Sequence, residues 1–329
     1  MSLHLAILFA GTALDRLVGD PDWLWRRLPH PVVLFGKAVD GLDVALNRSE
    51  LSEARRRRNG FVAAAILVAG AAAIGVALSL LFALAGPVGW GLEIVILAVF
   101  LAQKSLVDHV RAVADALGRE GLAGGRRAVA MIVGRDPDAL DEAGVCRAAI
   151  ESLAENASDG VVAPFLWYLV FGLPGLLAYK AVNTADSMIG HLNARYRAFG
   201  FASARLDDLM NWPAARLTAV LFALAAGLHA RRVAVAGTVL DIARRDAPQH
   251  RSPNAGWPEA AVAAALDLSL GGPRRYGELV VEAPMLHPDG RREAGVADIA
   301  VAIALFATMA NLILASAAIL AVAAWAAGA

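Results

Sequence analysis

The sequence is poor in cysteine, in charge and in the short motifs that usually hold nucleotides. Of its 329 residues one is a cysteine, Cys146, which excludes an intramolecular disulfide framework and any CxxC metal site and suits polar segments in a reducing compartment. Charged residues make up 18%, against roughly 25% in ordinary globular chains. The 30 basic and 30 acidic residues cancel, and no basic stretch is interleaved with aromatics as single-strand binding requires, so nucleic acid is not an expected partner. No G-x-x-x-x-G-K-[ST], no strand-to-helix G-x-G-x-x-G and no H-E-x-x-H occurs. Any nucleotide must therefore be held without those devices. Internal repeats and flexible linkers are lacking too.

What the chain has in excess is apolar surface. Hydrophobic residues reach 58% and mean hydropathy is +0.56, which displaces the sequence toward the membrane class. Phe61–Ala85 is a continuous apolar run of about 25 residues, enough for a transmembrane helix. Gly86-Pro87-Val88-Gly89 turns it, and Val88–Ala102 runs back. The turn carries no Lys or Arg, whereas Arg55–Arg58 and Lys104 flank the other ends, so the basic loops are expected on the cytoplasmic side. Leu3–Leu14 is shorter than a full span and lacks a basic n-region and a cleavage site, so a retained, tilted or partial span is expected. Leu217–His229 is another short apolar run. Val296–Ala327 is long enough for a tilted span, with the C-terminus outside. Val161–Tyr179 has span length but is divided by Gly172-Leu173-Pro174-Gly175 and flanked by polar sequence. A re-entrant helical hairpin is predicted there, since broken backbone is tolerated in membranes where protein buries it.

The fold class expected is all-α: a polytopic integral membrane protein with about four to six transmembrane or partial helices plus amphipathic cytoplasmic helices. Residues 1–329 read as a single membrane-embedded domain with polar helical loops at about 15–60, 103–160, 179–216 and 230–297. Within the loops, Leu106, Val110, Val113 and Leu117 mark one packed helix face. Asp136-Pro137 is expected to open a helix running to about Ala157. A short strand pair is expected around Leu279–Leu286.

Polar side chains concentrate between Arg147 and Arg216. Arg147, Glu151 and Glu155 follow at i, i+4 and i+8, one stripe of a helix. With Asp159 the acids have the spacing of a magnesium or general-base cluster, although such triplets are commonly a solvated face. Lys180, Asn183, Asp186, Ser187, His191, Asn193 and Arg195 form a second set, able to clamp phosphate or carboxylate or simply to snorkel at an interface. Asp207, Asp208 and Asn211 add oxygens for metal. Glu93 reads as a carboxylate at interface depth, and His30 and His109 as structural more readily than as proton-transfer groups.

Three blocks carry a resemblance: GRDPDALDEAGVCRAAIESLAENASDGVVAPFLW, YKAVNTADSMIGHLNARYRAFGFASARLDDL and SPNAGWPEAAVAAALDLSLGGPRRYGE. DRLVGDPDWLWRRLPHPV and SLVDH extend it over nearly the whole chain. Together they resemble the CobD/CbiB family of cobalamin-biosynthesis membrane proteins, the adenosylcobinamide-phosphate synthases. Three positions depart from the family pattern: His191 replaces a common tyrosine, Ala194 replaces a common acid, and the proline of NWPAAR comes one position early.

The resemblance implies ATP-dependent amide formation between a propionate carboxylate of adenosylcobyric acid and (R)-1-aminopropan-2-ol or its O-phosphate, giving adenosylcobinamide phosphate, with ATP and Mg2+ required. It implies an inner-membrane, multi-pass protein whose site faces the cytoplasm, with the lipid bilayer and proteins of neighbouring cobalamin-pathway steps as partners. Glu151, Glu155, Asp186 and Lys180 are the expected catalytic residues. Glu155, Asp159, Asp186, Asp207 and Asp208 are the expected metal ligands, and Arg147, Asn156, Asn183, Arg195, Arg205, Asn211 and Asn254 the expected substrate contacts. A membrane transporter or signalling component without ligase activity is the alternative, since polar residues in broken helices also suit a transport path.

Overall fold

Cap chemistry decides where several helices begin. Helix α3 (Pro31–Leu46) opens with Pro31 at its first position, and the His30 ring accepts a hydrogen bond from the Val32 N–H at 3.2 Å. Helix α4 (Glu53–Ala85) is capped by the Ser52 hydroxyl, as a short polar side chain at this position favours. The helix expected to open at Asp136 starts later. Asp136 accepts from the Asp138 N–H at 3.0 Å and produces only a 3-10 turn, Pro137–Ala139. Asp141 then accepts from the Gly144 N–H at 2.6 Å and opens α7, Glu142–Ala157. Two carboxylate caps in succession divide what the sequence pattern joins.

The computed structural model describes residues 2–134, 136–276 and 279–328. Five helical stretches among them are long and apolar enough to cross a membrane: Glu53–Ala85, Pro87–Val129, Glu142–Ile189, Phe201–Ala230 and Val296–Ala326. The protein is a multi-pass, all-α membrane protein. The chain gathers into two compact units, one of Met1–Ala102, Ala163–Asn211 and Ala317–Ala329, the other of Gln103–Val162 and Trp212–Ser316.

In the first unit lie α1 (Ser2–Leu17), a short α2 (Asp22–Trp25), α3, α4, α5 (Pro87–Phe100), α8 (Ala163–Ile189) and the start of α9 (Phe201–Ala230). Helix α8 packs most extensively on α4. Val39, Ala63, Leu67, Ala185, Ile189 and Phe199 form a buried cluster where α3, α4 and α8 meet. Helix α8 is bent back on itself at Gly172, whose φ of 65° and ψ of −150° belong to a region essentially reserved for glycine. A Cβ built on Gly175 would stand 2.4 Å from the carbonyl oxygen of Trp167. Eight residues of straight helix would separate those positions by about 12 Å, so the chain has reversed, and the two arms form the expected hairpin.

The hairpin tip packs against α4 and α1. At Gly75 of α4 a Cβ would meet Pro174 Cα at 2.5 Å, a close approach that small residues permit between membrane helices. The ring of His4 stacks on Tyr168 at 4.8 Å, and its Nε2 lies 3.2 Å from the Leu169 carbonyl oxygen, one of those released by the break. Tyr168 in turn donates its hydroxyl to Glu93 at 2.7 Å. Glu93 is thus a partner of the hairpin.

The second unit contains α6 (Gln103–Val129, broken at Gly121), α7, a π-turn (Ser158–Val162) and the remainder of α9. It also holds α10 (Val233–Asp246), α11 (Gly256–Leu266) and most of α12 (Val296–Ala326). Leu106, Val110, Val113 and Leu117 are all buried, the packed face their spacing predicts. The strand pair expected around Leu279–Leu286 is organised as two separate pairs. Strand β3 (Leu279–Val281) pairs antiparallel with β2 (Arg274–Tyr276), and β4 (Met285–Leu286) with β1 (Leu270–Gly271). Pro284 between the two later strands lacks the N–H a continuous ladder needs, and each finds an earlier partner.

Candidate functional site

Helical spacing builds a polar ladder in the first unit. Tyr179 and Asn183 lie one turn apart on the second arm of α8, and Asp207 and Asn211 one turn apart on α9, so each pair shares a face. The Tyr179 hydroxyl donates to Asn211 Oδ1 at 2.9 Å. Asn211 Nδ2 donates to Asp207 Oδ2 at 2.9 Å, and Asn183 Nδ2 to Asp207 Oδ1 at 3.3 Å. Tyr179, Asp207 and Asn211 are buried. Both oxygens of a buried carboxylate are therefore held by amide donors.

The half-buried Asp186 carboxylate lies within electrostatic reach of Asp207. Two like charges in one site favour a bound cation or a shared proton. Gly190 makes room for this acid: a Cβ there would fall 1.9 Å from Asp186 Oδ1. Asp208, next along α9, is paired with Arg205 at 3.4 Å. Lys180 is half-buried on the α8 arm, and its carbonyl accepts from Thr184 Oγ1 at 2.7 Å.

Magnesium commonly takes one or two protein carboxylates and fills its octahedron with water and substrate phosphate oxygens. Asp186 and Asp207 fit that demand. No group of three His, Cys, Asp or Glu side chains among the described residues is arranged to hold a metal ion by itself.

Arg195 lies in the same unit in a bracing position. Its guanidinium donates to buried Asp43, and its carbonyl accepts from Arg56 and from Asn47 Nδ2. Asn47 also donates to Asp43 at 2.7 Å. This network ties the segment between α8 and α9 to α3 and α4.

The remaining expected residues belong to the second unit. Glu151 is buried and accepts from the Gly271 N–H at 2.8 Å, anchoring β1 to α7. Arg147 donates to the Arg292 carbonyl at 2.5 Å. Glu155 and Asn156 are exposed, with Asn156 Nδ2 donating to the Ser152 carbonyl at 2.9 Å, and Asp159 is half-buried in the π-turn. Asn254 is buried and accepts from Arg216 at 2.7 Å.

Arg216 is a residue that sequence reasoning did not single out. Its guanidinium lies 4.6 Å from the Trp212 ring centroid and 4.9 Å from that of Trp257, and also donates to the Pro253 carbonyl at 3.0 Å. The signal was present, since Trp212 and Arg216 are one turn apart and SPNAGW supplies the second tryptophan. Tyr179, adjacent to Lys180, is a further member of the ladder outside the expected set. His30 caps α3, and Nδ1 of His109 lies 2.7 Å from the Ser105 carbonyl oxygen.

The sequence pattern of the family described as CobD/Cbib protein matches residues 8–306. The chain belongs to that family. A CobD/Cbib relative from Rhizobium meliloti (strain 1021), named "Cobalamin biosynthesis protein CobD", is 60% identical over 303 residues, 92% of each chain. Relatives of the same name come from Brucella suis biovar 1 (strain 1330), at 56% identity over 307 residues and 93% of each chain, and from Rhodobacter capsulatus, at 47% over 307 residues and 92% of each. No solved structure matches the chain. Both polar arrangements, the α8–α9 ladder and the Arg216 clamp, fall within the residues that the CobD/Cbib pattern covers.

Proposed function

We propose that this protein acts in cobalamin biosynthesis as an ATP-dependent amide ligase. It joins (R)-1-aminopropan-2-ol O-phosphate, or the free aminopropanol, to the propionate carboxylate of adenosylcobyric acid, giving adenosylcobinamide phosphate. The relatives' name at 47–60% identity over nine-tenths of the chain carries the place in cobalamin biosynthesis, and the Asp186–Asp207 pair suits the ligase chemistry.

A carboxylate is a poor electrophile. In the proposed first step a propionate oxygen attacks the γ-phosphorus of ATP, ADP leaves and an acyl phosphate forms. In the second, the amine nitrogen attacks the acyl carbon, phosphate leaves and the nitrogen loses a proton. Asp186 and Asp207 would hold magnesium, which when bound offsets phosphate charge. Asn183 and Asn211 orient Asp207. Lys180 provides positive charge toward phosphate oxygens, and Asp208 pairs with Arg205. In the second unit, Arg147 and Glu151 hold the backbone at Arg292 and Gly271, and Asn254 accepts from Arg216. Arg195 acts by bracing the segment that precedes α9. We place the protein in the inner membrane with this polar end toward the cytoplasm, on the distribution of Arg55–Arg58 and Lys104.

Purified full-length protein in detergent, supplied with adenosylcobyric acid, aminopropanol phosphate, ATP and magnesium, is expected to release an amide product detectable by mass spectrometry. Asp186→Asn is expected to lose turnover while keeping the wild-type unfolding profile. Absence of product, with corrinoid uptake retained in cells, would overturn the ligase in favour of a transporter.

A further inference from the structure

At the polar end of the first unit several arginines are held by hydrogen bonds or ion pairs. Arg56 donates to Asn47 at 2.7 Å and to the Arg195 carbonyl, Arg197 donates to Glu53 at 2.8 Å, and Arg195 donates to Asp43. Arg57 differs. Its guanidinium lies 3.9 Å from the centroid of the Phe201 ring, and among the described residues no hydrogen bond or ion pair occupies it. Arg205 approaches the same ring at 5.5 Å, and its ionic partner Asp208 is 3.4 Å away. Both guanidiniums are well exposed.

We propose that Arg57 and Arg205, gathered around the Phe201 ring, form a binding site for a phosphate group at the bilayer surface. Stacking on an aromatic ring occupies the face of a guanidinium and leaves its in-plane N–H donors for an oxyanion, in the fork geometry that matches phosphate. One ring brings two such forks together without a carboxylate to neutralise them both. The depth is right for a headgroup: Arg57 precedes Phe61, where the apolar run of α4 begins, by four residues, about 6 Å of helix. Phe61 packs against Phe201 with ring centroids 6.3 Å apart and is 53% exposed, so the aromatic pair continues toward the hydrocarbon. The phosphate belongs either to an anionic phospholipid or to a small soluble ester. The proposal does not depend on the ligase reading.

The test titrates detergent-solubilised full-length protein with dihexanoylphosphatidylglycerol in one arm and glycerol 3-phosphate in the other, reading phosphorus-31 line broadening. Saturable broadening by either probe is expected, and the probe that binds identifies the source. Arg57→Ala or Arg205→Ala is expected to weaken it by about tenfold or more, and Arg57→Lys partly, because lysine keeps the charge and loses the fork. Arg55→Ala removes the same charge from the same tetrad without touching Phe201, and is expected to change affinity by about twofold at most. No saturable broadening in either arm overturns the site. Equal losses in the Arg55 and Arg57 variants overturn it too, because a diffuse positive field would then account for binding.

Discussion

Substituting Gly75 by alanine tests the seating of the α8 hairpin directly. The added Cβ would lie 2.5 Å from Pro174 Cα, 2.6 Å from Pro174 N and 2.8 Å from the Leu173 carbonyl carbon. Carbon atoms pack at about 3.5–4.0 Å, so the tip must retreat by roughly 1 Å or α4 must deform. All three atoms are backbone, and Leu173 is fully buried, so no flexible side chain can yield. Overpacking of this kind costs about 1–3 kcal/mol, while alanine returns up to about 1 kcal/mol of helix propensity. A net loss of roughly 1–2 kcal/mol follows, a factor of about 5–30 in the folded-to-unfolded ratio. Gly70 on the same helix is the control, because a Cβ there meets nothing within 4 Å. Unfolding of both variants in matched detergent should show Gly75→Ala destabilised and Gly70→Ala equal to wild type or better. Equal stability of the two would refute the close approach of the tip to α4.

Two further outcomes are expected. Burial raises the Asp246 carboxyl, but its hydrogen bonds from Arg245 and from the His287 N–H outweigh that and hold it below the ordinary carboxylate value. A depressed folded pKa gives stability that is full above the unfolded value of about 3.9 and is lost as pH falls through the folded one; Asp246→Asn should flatten the wild-type decline in unfolding midpoint below about pH 4, and an unchanged acid profile would count against the role. Ser187 is exposed at the end of the returning α8 arm. A cysteine placed there in a Cys146→Ala background should resist an impermeant thiol reagent added outside intact cells, whereas labelling would mean that the arm crosses.

Much of the membrane part was legible because its signals are local. A long apolar run, a glycine-proline interruption and a one-face repeat each reflect a single helix and its surroundings. The break at Gly172-Leu173-Pro174-Gly175 could be read as a reversal because only glycine tolerates the backbone at its apex. What covers the tip was not legible: His4, Gly75 and Glu93 come from three separate helices, and nothing in their own neighbourhoods announces a shared task. The candidate site divides in the same way. Asn183, Asp186, Asp207 and Asn211 are recognisable as chemistry-bearing residues, but the rungs joining α8 to α9 are tertiary. Arg195 looked like a phosphate ligand because the sequence cannot display Asp43 beside it. At Asp136 the pattern suggested one helix where two caps compete, and cap strength depends on backbone angles that composition does not report.

The reversal at Gly172 also bears on how the protein enters the membrane during synthesis. A straight α8 would deliver Lys180, Asp186, Arg195 and Arg197 to the far side, and each of these charges meets an insertion barrier of about 2.5–3.5 kcal/mol at mid-bilayer. A chain that turns back returns them to the side they came from. The insertion machinery then needs to accommodate only the apolar arms and a glycine-proline bend, and the residues of the ladder can begin folding against α9 without having been translocated.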